Sequence, residues 1–112
     1  MSLTKSQILA HNDVDVVRVD VPQWDGFVYV RSMSAAERNA FSQKFSGESL
    51  DGLQETMCVL TVCDENGQRI FTDDDVAALG EKSGAALDLI CQAAQKLNKM
   101  DAESVEEAEK NL

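Results

Sequence analysis

The stretch from Asp64 to Asp75, DENGQRIFTDDD, places five carboxylates around Asn66-Gly67, and the chemistry it suggests is cation binding. A twelve-residue calcium loop needs oxygen ligands at positions one, three and five, a glycine at six and a bidentate glutamate at twelve. Counted from Asp64, position six is Arg69 and position twelve is Asp75, so the glycine comes two residues early. The spacing therefore argues against a calcium loop, and we expect no metal here.

A structural interpretation accounts for each part of the same stretch. Asn66-Gly67 is typical of a tight turn, and the apolar pair Ile70 and Phe71 is expected to return to the core. Thr72 can cap a helix whose first turn carries aspartates, which are favourable at the positive end of the helix dipole. The sequence therefore predicts a turn followed by a helix start.

The thiol groups are the other candidates for chemistry. Cys58, Cys63 and Cys91 form no CxxC pair, and the single histidine, His11, lies far from them in the sequence. A cysteine nucleophile needs a nearby base or a lowered pKa, and the pattern indicates neither. We expect buried, reduced thiols in a cytoplasmic protein, and neither enzymatic activity nor a cofactor.

The charge is strongly acidic, with 20 acidic residues against 10 basic ones and a net charge of −10. Nucleic acids and anionic membranes are bound through lysine and arginine, so neither is an expected partner. No window is long and apolar enough to cross a bilayer, and the first residues do not have the pattern of a signal peptide. Protein partners remain possible.

The first predicted elements are two strands that form a hairpin over about 14–31. Alternating β-branched residues indicate strands at Val14–Val21 and Phe27–Arg31, joined by the turn QWDG. Trp24, Phe27 and Tyr29 could form a recognition surface, although such aromatic residues more often seal a hairpin against a helix.

The remaining pattern is helical, and it begins with a short helix at 5–10 that Thr4 and Gln7 can cap. Further helices are predicted over about 35–46, 51–63, 73–79 and 84–99, although VLTVC at 59–63 would suit a strand equally well. The predicted fold class is α+β, mainly α: a single compact domain over 1–100 in which the N-terminal hairpin packs on a small helical bundle. Residues 101–112 are predicted to form an acidic C-terminal helix or tail.

Several of these segments, in this order, resemble a known family. VYVRSMSAAER, then CDENGQRIFTDDDVAALGEKSGAALDLICQAAQKLN, and the acidic ending EEAEKN are similar to the tail assembly chaperones of lambda-like long-tailed bacteriophages. The resemblance covers about 14–111 and implies a mainly helical fold and a non-enzymatic role. Such proteins bind the tape measure protein, keep it soluble before the tail tube forms, and are absent from the mature virion.

The family also implies further partners and a location. A longer product, made by ribosomal frameshifting near the end of the short reading frame, recruits the major tail tube protein, and this chain would be the short form. Glu109-Lys110-Asn111 permits the slippery codons GAA AAA AAC close to Leu112. Self-association is expected because many copies would cover one long tape measure chain, and assembly would take place in the host cell cytoplasm.

Two functional hypotheses therefore remain. The first is the tail assembly chaperone, with tape-measure contacts predicted at Trp24 and at the apolar positions near the acidic end, Met100, Val105 and Leu112. The alternative is an acidic adaptor or DNA mimic that binds a basic partner, which would show steep salt dependence.

Overall fold

The sheet has three antiparallel strands in the order β1-β2-β3. The computed structural model of the protein describes residues 1–101 and Glu106. Strand β1 (Val16–Val21) pairs along its whole length with β2 (Gly26–Arg31), and Val19 lies opposite Val28. A 3-10 turn at Pro22–Trp24 joins the two strands, and Asp25 completes it in the left-handed conformation with φ 53°.

The described residues also form five α-helices. They are α1 (Lys5–Ala10), α2 (Ala35–Lys44), α3 (Leu53–Thr61), α4 (Val76–Leu79) and α5 (Gly84–Leu97). A second 3-10 turn, Asp73–Asp75, leads directly into α4. Each predicted helix therefore has a counterpart, and the observed bounds differ from the predicted ones by a few residues at the ends.

The core lies between one face of the sheet and helices α3 and α5. Strands β1 and β2 contribute Val21 and Val30, which are fully buried. The helices contribute the largest group of buried side chains: Met57, Cys58, Val59, Ala86, Leu87, Ile90, Cys91 and Ala94. Helix α5 can supply so many because its small and branched apolar residues recur on one broad stripe.

The predicted helix over 51–63 extends two residues too far at each end, since α3 begins at Leu53 and ends at Thr61, and Val62–Cys63 form β3. Strand β3 adds to the hairpin through the pairs Tyr29 with Cys63 and Val30 with Val62. The β-branched end of VLTVC thus enters the sheet, and the sheet has three strands rather than the two of a hairpin.

Two arginine side chains show why α3 can stop there. Arg31 Nε donates to the carbonyl of Leu60 at 3.1 Å, and Arg69 Nε donates to the carbonyl of Val59 at 3.0 Å. The last carbonyls of a helix have no partner within it, so these donors satisfy groups that would otherwise be left unpaired.

The prediction that both Ile70 and Phe71 return to the core is wrong for Ile70. Ile70 is 55% exposed, whereas Phe71 is partly buried and packs against the core. Adjacent residues in an extended segment point to opposite sides, so only one of the two can be buried.

The α+β fold class and the single-domain architecture are confirmed. The predicted acidic helix or tail over 101–112 lies outside the described residues, apart from Asp101 and Glu106. None of the helices in the described part of the chain has the length and apolar character needed to cross a membrane.

Candidate functional site

The acidic stretch uses its carboxylates to build local structure. Asp64 accepts hydrogen bonds from the backbone N–H groups of Asn66 at 2.8 Å and Gln68 at 3.0 Å, around Gly67 with φ 81°. The predicted turn is therefore confirmed. Across residues 1–101 and Glu106, no group of three or more His, Cys, Asp or Glu side chains is placed to hold a metal ion.

The helix start predicted at Thr72 is also confirmed. The backbone N–H of Thr72 donates to Asp75 Oδ2 at 2.8 Å in a capping box that leads into α4. Beside it, Arg69 and Asp73 form a weak ion pair at 3.5 Å. These contacts order the segment that leads into α4.

The three cysteines are free thiols, and all are buried. The contact with Cys91 and burial both raise the pKa of Cys58 far above its usual range, and burial raises the pKa of Cys63. Cys91 donates from Sγ to the carbonyl of Gln54 at 3.5 Å. A raised pKa keeps a thiol protonated, which is the opposite of what a nucleophile requires.

The apolar feature that stands out lies between the hairpin turn and α4. It is an open cleft of about 370 Å³, lined by Trp24, Phe71, Asp75, Ala78, Leu79 and Lys82. Trp24 is 38% exposed, so a large part of its ring is available to a partner. Asp75 and Lys82 place one charge of each sign beside the apolar surface.

Two further depressions continue from this cleft, and we call the three together the Trp24–Phe41 groove. The second is lined by Arg69, Phe71, Thr72 and Asp73. The third is lined by Ala40, Phe41, Lys44, Thr56, Leu60, Asp73 and Val76. The first and second depressions share Phe71, and the second and third share Asp73, so the three lie next to one another between Trp24 and Phe41.

The third depression contains a polar atom that the fold leaves free. Thr56 Oγ1 is buried and has no hydrogen-bond partner among the residues that the structure describes. A buried polar atom without a partner costs free energy, and because Thr56 Oγ1 is shielded from the surface it is not available to a partner in the groove. The groove therefore offers apolar surface with charged residues at its rims.

The other two hairpin aromatic residues are not part of this groove. The register places Phe27 and Tyr29 on the face of the sheet opposite to Val28 and Val30. The Arg18 guanidinium lies 3.8 Å from the Phe27 ring centroid, and Phe27 is 45% exposed. The interpretation that these rings seal the hairpin against a helix is wrong for Phe27.

The remaining predicted contact residues are not brought together with Trp24. Met100 is partly buried and packs against the core, so it is less available than an exposed position would be, and it does not line the groove. Val105 and Leu112 lie outside the described residues. Sequence reasoning missed Phe71, Ala78 and Leu79 as groove residues, although the apolar pattern after the Thr72 cap could have indicated them.

Comparison with known proteins gives this geometry its context. A family model described as "Phage tail assembly chaperone, TAC" matches residues 4–103. The structure of the bacteriophage HK97 tail assembly chaperone is similar, with a TM-score of 0.63 and 20% sequence identity over 82% of this chain and 90% of that chain. At that identity the likeness concerns the fold alone.

No curated protein sequence matches the chain. The family model nevertheless spans most of the 112 residues, including both strands of the hairpin, the groove and all of α5. The resemblance noted from the sequence is confirmed, and the chain belongs to the phage tail assembly chaperone family.

Proposed function

We propose that this chaperone binds the tape measure protein of its phage, keeps that protein soluble and assists assembly of the tail tube, without catalysing a reaction. The observation that carries the proposal is the Trp24–Phe41 groove, in which two mainly apolar depressions lie on either side of a more polar one. A surface of this shape suits an elongated partner better than a compact small molecule.

The chemistry of the partner follows from the groove. A long helical protein outside its final assembly exposes apolar stripes that promote aggregation, and a helix can bury such a stripe in an apolar groove. Trp24 and Phe71 offer aromatic contacts, while Asp75 and Lys82 can contact the polar flanks of the helix. The net charge of −10 would keep the coated complex soluble.

The same proposal includes a longer form of the protein. Frameshifting near Lys110 would extend the chain, and the extension would recruit the major tail tube protein. Several copies would associate along one tape measure chain in the host cell cytoplasm, and none would remain in the mature virion. Mass spectrometry of the products of the native gene would test the longer form, because its peptides would leave the reading frame near Lys110-Asn111.

Binding of the tape measure protein can be tested by co-expression and affinity capture. We expect Trp24→Ala to weaken binding of the tape measure protein about thirtyfold, because a buried aromatic contact typically contributes about 2 kcal/mol at an interface. Phe27→Ala is the matched control, since Phe27 is similarly exposed but lies outside the groove. It should leave capture unchanged.

Equal capture by the wild type and both variants would contradict the role of the groove. Capture that disappears between low and moderate salt, whatever stands at position 24, would instead favour the acidic adaptor or DNA mimic. Circular dichroism of each variant would establish that the fold is retained.

A further inference from the structure

Strand β1 lies at the edge of the sheet, and within the described residues its only paired strand is β2. Just before β1, the Ser32 N–H donates to the carbonyl of Asp15 at 2.8 Å, in line with the register that pairs Val16 with Arg31. In an antiparallel pair, alternate residues bond to the partner strand. The N–H and C=O groups of Val16, Arg18 and Asp20 therefore point outward, to the open edge.

The side chains on this edge carry opposite charges two residues apart. Arg18 and Asp20 form an ion pair at 3.2 Å, and their side chains are 60% and 75% exposed. Exposed edge strands commonly carry charges that prevent pairing with other chains. Two neighbouring charges of opposite sign do not prevent pairing with a second copy, because in an antiparallel arrangement each charge can face the opposite charge of that copy.

The side-chain charges and the outward-pointing backbone groups select the same register for pairing with a second copy. If Val19 lies opposite Val19 of an antiparallel second copy, Arg18 faces Asp20 on both sides of a two-fold axis. Arg18 and Asp20 are also residues whose backbone groups point outward, so both can form ladder hydrogen bonds. Moving the register by two residues places Arg18 opposite Arg18, or Asp20 opposite Asp20, and like charges face each other.

We propose that two copies of the chain associate through the β1 edge, with Val19 at the two-fold axis, and form a continuous six-stranded sheet. The proposal rests on the self-association included in the proposed function and identifies the surface that it uses. Because the same edge serves in both copies, this contact closes on itself and joins the copies in pairs, and further contacts between pairs would place several copies along one tape measure chain.

The surroundings of the edge agree with a covered surface. Val17 is 37% exposed although its neighbours in the same row, Val19 and Val21, belong to or pack against the core. A depression of about 400 Å³ beside it is lined by Asp15, Val17, Ala93, Lys96, Leu97 and Lys99. A second sheet at the edge would cover this apolar surface. Pro22, which has no N–H to donate, lies opposite Val16 of the second copy and therefore limits the ladder at both ends.

Charge exchange on the full chain tests the proposal, with sedimentation equilibrium as the measurement. Arg18→Asp and Asp20→Arg should each weaken dimerisation about tenfold, because each change places like charges opposite each other twice. The double variant R18D/D20R restores opposite charges and should return the dimerisation constant to within about threefold of the wild type. Arg38→Asp changes the net charge of the exposed α2 surface by the same amount and should have no effect.

Loss of dimer in both single variants with recovery in the double variant would support the β1 edge. A wild-type dimer that all variants retain, or single variants that the double variant does not rescue, would overturn it. A wild type that stays monomeric while it captures the tape measure protein would also overturn it, and would leave the chaperone proposal intact. Circular dichroism would show that each variant keeps its secondary structure.

Discussion

Helices α1 and α2 begin with the same capping motif but differ in the burial of their side chains and in their contacts with the rest of the domain. In α1, the Thr4 N–H donates to Gln7 Oε1 at 2.9 Å, and the Gln7 N–H donates to Thr4 Oγ1 at 3.2 Å. In α2, the corresponding distances between Ser34 and Glu37 are 3.0 and 3.2 Å. The local geometry of the two helix starts is therefore nearly identical.

The tertiary surroundings of the two helices are different. No residue of α1 is buried, and Ile8 and Leu9 are 55% and 74% exposed. Helix α2 places Phe41, only 7% exposed, in the core. Glu37, besides capping α2, forms an ion pair of 2.5 Å with Arg31 of the sheet.

The comparison shows that a capping motif determines where a helix begins and does not determine whether the helix contributes to the stability of the domain. Two short-range hydrogen bonds suffice to determine where the helix begins. A stabilising contribution to the domain requires apolar burial. The entropy cost of ordering the backbone of each residue is as large as the free energy that an N-cap contributes. Three measurements can test this distinction.

The largest contrast should come from the apolar residues of the two helices. Phe41→Ala should lower the free energy of unfolding by about 3–5 kcal/mol, since it removes a buried ring and leaves a cavity. Leu9→Ala removes an exposed side chain and should change it by less than about 0.5 kcal/mol. Urea denaturation followed by tryptophan fluorescence would measure both. Similar losses for the two variants would mean that α1 packs against the domain.

A smaller effect, dependent on pH, is expected from Glu37. Burial alone would raise its pKa, but the hydrogen bonds with Ser34 and the charge of Arg31 outweigh burial and hold the pKa below its ordinary value of 4.5. A carboxyl group whose pKa is lowered by folding stabilises the protein above its unfolded pKa, and that contribution is lost as the pH falls through the folded pKa. Acid should therefore weaken the attachment of α2 to the sheet.

Glu37→Gln should lower the free energy of unfolding by about 1 kcal/mol at neutral pH. The difference from the wild type should shrink as the pH falls below 4.5, where the wild-type carboxyl group becomes protonated. The exposed Glu48→Gln serves as the control and should show no such dependence. A difference that stays constant from pH 7 to about pH 3 would disprove the electrostatic role of Glu37.

The smallest and most direct contrast compares the two caps. Ser34→Ala should lower the free energy of unfolding by about 1 kcal/mol, the usual cost of losing an N-cap. Thr4→Ala removes an equivalent cap but should leave global stability unchanged, because α1 unfolds without disturbing the core. It should instead speed up amide exchange of the residues in α1. An equal loss of stability in both variants would refute the comparison.

Much of the fold could be predicted from the sequence because its signals are local. The caps at Thr4, Ser34, Thr72 and Ser83 each lie one residue before an observed helix or 3-10 turn. Asn66-Gly67 indicated the turn, since few residues other than glycine adopt a positive φ. In each of these cases the deciding contact spans four residues or fewer.

The errors occurred where distant parts of the chain compete for a residue. Val62 and Cys63 continue a helical pattern, yet they pair with β2 because the sheet edge offers hydrogen bonds to extended backbone. Ile70 is apolar, yet the strand-like path around it buries Phe71 instead. Of the four predicted contact residues, Trp24 lies in a groove because α4 packs beside the hairpin turn, an arrangement that no local pattern specifies.

Residue types and short spacings were enough to predict the class of the protein, the helix starts and the acidic turn. Only the tertiary structure decided that α1 stands apart from the core while α2 is anchored in it, that β3 completes the sheet, and that Trp24 begins a groove. The physical reason is that burial and strand pairing depend on which distant surfaces meet, and the same local motif is compatible with either outcome.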